Sequence, residues 1–384
     1  MKKVLLIIVA SFILMFGTGI TTAEAYYAES NTLGIVSNTL TEEFSAKNVI
    51  LMIGDGMGKN HIEVAKEYNQ VEQLNMEKLS KYDGEITTHS KNSSVTDSAA
   101  AATAMSTGEK VNNGEVAMRG LKKLETMAEY AASLQKEVGI VATETLTGAT
   151  PAAFSSHAIN RDLFPTIIVE QTKSPVSLFL GEGKSRYNTY NPSITSRGFD
   201  HIKSFEDLPS YNHDKKIFGT FDRISPNPGQ GDLSLSDLSL YAINYLEHRS
   251  AGKGFFLMIE GSYIDIRSHE NNLFGMIDEL NAFDQAVADV VNWATLDGNT
   301  QVMVVADHET GGLTYNGETK EEFSNEMFTS KDHTGTNVRY FLYGNLNNVI
   351  IPPYIIDNTD VSKIIRKTLN GNTLNNLKNY KQIA

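Results

Sequence analysis

Val95-Thr96-Asp97-Ser98 runs directly into Ala99-Ala100-Ala101-Ala102. Four alanines behind a polar triplet predict a helix that begins here, because alanine is the strongest helix former. Thr96 or Asp97 can cap it, which puts Ser98 at or near the first turn. A helix N-terminus presents unpaired N–H donors and partial positive charge, so a hydroxyl held there is suited to become an alkoxide or to face an anion such as phosphate. On this stretch alone Ser98 is better read as a plain capping residue. A second group of residues changes the reading: Asp55, Glu260 and Asp307 each follow a strongly apolar run, and His269, His308 and His333 stand in polar turns. One acid after a strand is usually a turn or cap residue. Three of them with three histidines make a donor set: carboxylate and imidazole suit zinc, carboxylate and hydroxyl suit magnesium. A pair of metal ions roughly 4 Å apart can activate a nucleophile and stabilise the leaving oxygen of an in-line phosphoryl transfer.

The runs that must position these residues read as strands of a parallel sheet. Val49–Ile53, Val138–Thr143, Phe255–Ile259 and Val302–Ala306 are short, continuous and apolar, as strands buried on both faces are. Asp55 follows the first in a glycine-rich turn, Glu260 ends the third, and Asp307 ends the fourth. In open α/β sheets functional residues gather at the carboxyl ends of strands. Asp265 and His269 are spaced i, i+4, which on a helical turn aims both the same way. Apolar spacing predicts helices from about Asn60 to Tyr68, from Leu121 to Leu134, from Leu235 with a Ser234/Asp237 capping box, from Leu280 to Ala294, and over Asp360–Asn370. Thr150 with Pro151 predicts a helix capped by Thr150 that carries Arg161 near its far end. Arg339–Tyr343 reads as a further strand. From 162 to 230 the pattern loosens into short elements, which reads as a less regular insertion. The histidines outside the donor set, His61 among them, have no ligand-like neighbours in sequence, and His157 reads as packed.

Lys2 and Lys3, the apolar Val4–Phe16 run and Ala23-Glu24-Ala25 read as a secretory signal peptide over residues 1–25, too short in its apolar core for a membrane anchor. The expectation is secretion, to a periplasm or the outside, after cleavage near Ala25. Residues 26–384 are then a single catalytic domain. There is no cysteine, and a chain of this length buries enough surface without disulfides. The net charge of −13 argues against nucleic acid as a partner. It leaves room for small phosphorylated substrates, because bound divalent cations reverse the local field.

The Asp55-Gly56-Met57-Gly58 turn, Val95-Thr96-Asp97-Ser98-Ala99, Ala149-Thr150-Pro151-Ala152-Ala153, Glu260-Gly261 with Ile264-Asp265 and His269, Ala306-Asp307-His308-Glu309-Thr310-Gly311-Gly312 and His333-Thr334-Gly335 together resemble the alkaline phosphatases, in the family's order. The resemblance implies a three-layer α/β/α sandwich around a largely parallel sheet, and hydrolysis of phosphate monoesters through a phosphoserine at Ser98. It implies one zinc ion held by Asp265, His269 and His333, and a second held by Asp307, His308 and Asp55 with Ser98 approaching it. A magnesium ion would be held by Asp55, Thr150 and Glu260. Arg161 would bind phosphate in a fork, with Asp97 holding its guanidinium, and the family resemblance suggests a homodimer.

Two positions depart from the family pattern. Gly148 stands where His or Asp is usual, and Ile266 where Lys, His or Trp is frequent. Glycine offers no side chain to steady magnesium-bound water, so the expectation is a loosely held magnesium that Gly148→Asp or Gly148→His would tighten. Three rivals to a phosphate monoesterase each make a different demand. A diesterase needs an apolar pocket for a second ester group, a sulfatase its own formylglycine motif, and a non-catalytic binding protein has no need of a nucleophile.

Overall fold

Asn48–Gly54 is buried at all seven positions, as its unbroken apolar run requires of a strand covered on both faces. The computed structural model describes residues 46–210, 214–229, 232–344 and 352–370, so the candidate signal peptide lies outside the described residues. In chain order the central sheet consists of β1 (Asn48–Gly54), β2 (Tyr82–Thr87), β3 (Glu137–Thr145), β4 (Leu178–Glu182), β5 (Phe199–Ile202), β6 (Lys216–Phe221), β7 (Phe255–Gly261), β8 (Thr300–Val305), β9 (Val338–Tyr343) and β10 (Ile355–Asp357). Their spatial order is β10-β2-β9-β8-β1-β7-β3-β4-β6-β5. Only β9 runs against the others. The four strands recognisable from their apolar runs are neighbours at the centre: β1 lies between β8 and β7, and β3 flanks β7.

Helices cover the sheet as two groups. Lys59–Asn69, Leu235–Ser250, Tyr263–His269 and Leu273–Asp297 pack with one another. Ser98–Thr107, Met127–Ser133, Ala149–Ser155 and Asn358–Asn370 form the other group. The result is the three-layer α/β/α arrangement with a largely parallel sheet. The 162–230 stretch contains β4, β5 and β6, which extend the same sheet at one edge with every pairing parallel.

Two helices differ from expectation. The helix expected from Leu121 begins at Met127, where Thr126 and Glu129 form a capping box. Leu121 instead sits 89% exposed between two short strands, Met118–Arg119 and Lys122–Lys123. A reciprocal cap satisfies two orphan N–H groups at once and so fixes the start more strongly than one apolar residue in phase. The second is the helix after β3, which covers Ala149–Ser155 with Gly148 as its N-cap. Thr150 is therefore inside the first turn and not its cap, and Arg161 lies beyond the helix. Ser155 and Ser156 turn their hydroxyls back onto the carbonyls of Pro151 and Ala152. Ser156 is extended, and Ala158 pairs with Val116 in an isolated bridge.

His61, read as an ordinary helix histidine, is fully buried, with Nε2 3.1 Å from Ser268 Oγ. Burial lowers its pKa to about 4. The unfolded chain therefore takes up a proton near pH 6.5 that the folded chain refuses, so the stability from neutral His61 is complete above pH 6.5 and is lost as pH falls towards 4. Over that window the loss is about 3 kcal/mol. Urea unfolding of metal-stripped protein from pH 7 to pH 4 should show this extra slope in wild type and not in His61→Gln.

Candidate active site

The strand order explains the site. β8, β1, β7 and β3 are adjacent and parallel, so the acids at their carboxyl ends meet at one edge of the sheet. Asp55 follows β1, Asp307 follows β8, and Glu260 is the next-to-last residue of β7, where it pairs in register with Ile53 and Ala142. Asp55 and Glu260 are buried, and Asp307 is fully buried. Asp307 is steadied by N–H donation from Gly56 at 3.0 Å and from His308 at 3.0 Å.

Ser98 opens the Ser98–Thr107 helix. Asp97 is the N-cap, its Oδ1 accepting from Ala100 N at 2.9 Å. The other carboxylate oxygen accepts from Gly114 N at 3.0 Å and from Arg161 Nη1 at 3.2 Å. One aspartate thus caps the helix that presents Ser98 and anchors the arginine beside it. The Arg161 side chain remains 36% exposed, open to a ligand. Ser98 Oγ is 3.2 Å from His308 Nε2, and the same nitrogen is 3.1 Å from Asp307 Oδ2 and 3.5 Å from Asp55 Oδ1.

On the other side of His308, whose ring stacks on that of His333 with centroids 3.6 Å apart, lies a second convergence. His269 Nε2 and His333 Nε2 are 3.0 Å apart, and each faces Asp265, at 3.3 Å and 3.6 Å. Asp265 and His269 come from the Tyr263–His269 helix, and His333 from a short strand paired with Glu309–Thr310. The Nδ1 atoms of both histidines are tied to backbone carbonyls, of Lys331 and of Thr96. Such a bond holds a proton on Nδ1 and leaves Nε2 as the atom directed at the cluster, as in histidines that bind metal.

The charges do not balance within the protein. Burial, followed by Asp307 and other carboxylates, pushes Asp55 well above the usual carboxylate range. Burial and Glu144 do the same to Glu260. Burial would also raise Asp265, but its hydrogen bond to His269 and the nearby His308 hold it below its ordinary value. His269 rises to about 9, chiefly through that bond to Asp265. Burial and His308 lower His333 to about 4. Asp55 Oδ1, Asp307 Oδ2, Thr150 Oγ1 and both carboxylate oxygens of Glu260 are buried without a hydrogen-bond partner. Groups of this kind are retained where a cation satisfies them. Two imidazoles with a carboxylate fit zinc, and the all-oxygen set of Asp55, Thr150 and Glu260 fits magnesium.

Sequence reading passed over Glu144. Its carboxylate joins Asp55 and Glu260 in a group whose facing oxygens lie within 4.8 Å of one another. The signal that would have found it is the one that found the other acids: Glu144 comes directly after the apolar Val138–Thr143 run. Thr310 was also missed; its Oγ1 donates to Asp265 Oδ1 and contacts His308 Nδ1 at 3.2 Å. Ile266 lines an open cavity of about 390 Å³ with Glu144, Glu182, Lys184, Arg186 and Tyr263.

The family model described as alkaline phosphatase matches residues 46–177 and 223–351, leaving out the stretch that holds β4, β5 and β6. Alkaline phosphatase 4 of Bacillus subtilis (strain 168) is 33% identical over 329 residues, covering 77% of this chain and 70% of the relative. Alkaline phosphatase of Escherichia coli (strain K12) is 28% identical over 390 residues, covering 78% and 81%. The solved alkaline phosphatase from the Antarctic bacterium TAB5 superposes with a TM-score of 0.73 at 32% identity, over 86% of this chain and 99% of that one. A variant of that enzyme with Mg bound in its M3 site matches with a TM-score of 0.72 at 31% identity, over the same shares of the two chains.

Proposed function

Since the chain belongs to the alkaline phosphatase family and is a phosphoric monoester hydrolase, we propose that it works through Ser98 as a covalent nucleophile beside bound divalent cations. The observation that carries this reading is the pairing of Ser98 Oγ, at a helix N-terminus and 3.2 Å from His308, with an arginine fixed by the cap of the same helix.

Ser98 Oγ attacks phosphorus, the new O–P bond forms, and the bond to the leaving alcohol oxygen breaks in line. Water then attacks the phosphoserine from the opposite side, releasing inorganic phosphate and restoring the hydroxyl. Arg161, held by Asp97, offers two parallel N–H groups to two phosphate oxygens, a fork that lysine lacks. The backbone N–H groups at the start of the Ser98 helix add to the attraction for the phosphoryl group. Ser98 Oγ lies against His308 Nε2, which in turn faces Asp307 and Asp55, so the hydroxyl points at the donor cluster. Zinc held by Asp265, His269 and His333, and by Asp55, Asp307 and His308, with magnesium at Asp55, Thr150 and Glu260, would supply Lewis acidity that lowers the pKa of hydroxyl and water and neutralises developing charge. The substrates are small phosphorylated molecules, met outside the cytoplasm after removal of residues 1–25.

Rates on p-nitrophenyl phosphate and on its bis-ester, measured with zinc and magnesium content on one preparation, test the reading. Monoester turnover should dominate and track metal content; faster diester turnover would place the chain with diesterases. Arg161→Ala should raise KM for the monoester and weaken inhibition by inorganic phosphate, since a charge-assisted bidentate contact of about 1.5–3 kcal/mol is lost. The diester, with fewer charged oxygens, should lose less. Equal losses on both substrates would show that Arg161 does not select the dianion.

A further inference from the structure

Glu144 and Gly148 lie four residues apart, across the tight turn from β3 into the Ala149–Ser155 helix, where Gly148 N donates to Thr145 O at 2.7 Å. The turn folds the Glu144 side chain back over Gly148. A Cβ placed on Gly148 would overlap Oε1 and Cδ of Glu144 and lie 2.7 Å from Oε2. The backbone of Gly148, at φ −53° and ψ 155°, is one that any residue can adopt. What forbids a side chain there is the Glu144 carboxylate itself.

That carboxylate is aimed at unpartnered oxygens. Together with Asp55 and Glu260 it forms a group with facing oxygens within 4.8 Å, in which Glu260 Oε1 and Oε2 have no hydrogen-bond partner, and neither has the fully buried Thr150 Oγ1. Among the described residues no ion pair takes up the Glu144 carboxylate; Arg161 and Arg186 act on it only from a distance. Three carboxylates gathered without donors repel one another, and a small divalent cation among them turns that repulsion into attraction. The donors are all oxygen, which suits magnesium. Glu144 also lines the open cavity of about 390 Å³, so this end of the group lies close to solvent.

We propose that Glu144 is a direct ligand of the magnesium at the Asp55–Thr150–Glu260 site, and that position 148 is glycine because the Glu144 carboxylate takes the place of its side chain. The proposal rests on the metal-site reading above and reverses the expectation of a loosely held magnesium: the donor missing at 148 comes from 144. It also reverses the expected effect of Gly148→Asp and Gly148→His, which should displace Glu144 and weaken magnesium binding.

The test is calorimetric titration of magnesium into zinc-loaded, magnesium-stripped full chain, read with the magnesium-induced rise in melting temperature and with bound metal by elemental analysis. Wild type should bind one magnesium. Glu144→Gln, close in shape, should need roughly 10–100-fold more magnesium, the range known for loss of even an outer partner of a metal site. Gly148→Ala should weaken binding in the same direction. The exchange Glu144→Ala with Gly148→Asp should recover much of the affinity, which a merely misfolded single variant could not explain. Wild-type affinity in Glu144→Gln with loss in Glu260→Gln would overturn the Glu144 assignment while leaving the metal site standing. Wild-type chain that takes up no magnesium would overturn both.

Discussion

Ser98→Ala protein is expected to lose roughly 10³-fold or more in monoester turnover, and to lose all covalent labelling by phosphate in acid-quenched reactions. The magnitude follows from what the hydroxyl does. It is buried at a helix N-terminus, 3.2 Å from His308, with Arg161 fixed alongside. Attack from this position is effectively intramolecular once the phosphate is bound, and alanine removes the attacking atom while leaving the binding groups in place. KM should therefore change far less than kcat. A residual rate is expected, because water can still reach phosphorus in a site that holds the phosphoryl group. Alanine also suits the helix, so the melting temperature should barely move and the loss cannot be assigned to unfolding. Radiolabelled phosphate recovered on the Ser98→Ala chain would remove Ser98 from the mechanism.

Stripping the metals, or substituting Asp307 or His333 by alanine, is expected to have an effect of similar size, of about 10³-fold in activity, with the added signature of lost zinc. Asp307 is fully buried and its Oδ2 has no hydrogen-bond partner. His333 offers Nε2 while Nδ1 is committed to Thr96 O at 3.0 Å. Each alanine variant should retain one zinc fewer than wild type by elemental analysis. Chelated protein should also melt lower, because an ion that binds only the folded state stabilises it by mass action, and its removal leaves the carboxylates of Asp55, Glu260 and Asp307 facing one another. Readdition of zinc should restore wild type fully and the variants only in part. Full activity in metal-free protein would end the metal-centred reading, and an unchanged zinc content in Asp307→Ala would remove that residue from the ligands.

The central strands, the capped helix at Ser98 and the acids at strand ends were legible in the chain itself, because each is a local property. An unbroken run such as Val49–Ile53 can be satisfied only by burial on both faces, and a cap is written within four residues. The same locality explains the errors. Phase alone extended one helix back to Leu121, and the Thr150–Arg161 segment was read as one helix because the hydroxyl-to-carbonyl bonds of Ser155 and Ser156 carry no periodic signal. Which acids meet was decided by strand order. β8-β1-β7-β3 brings together residues far apart in sequence, so that Ser98 and His308 touch across 210 positions. Asp97 reaches Arg161 across 64. Most of all, the chain alone shows a glycine at 148 and suggests a missing donor, whereas the folded turn shows a carboxylate from 144 in that space. Sequence determines which side chains are available and which backbone can carry them. Only the tertiary structure decides which of them share one volume, because excluded volume and charge act between atoms that are close in space, wherever they stand in the chain.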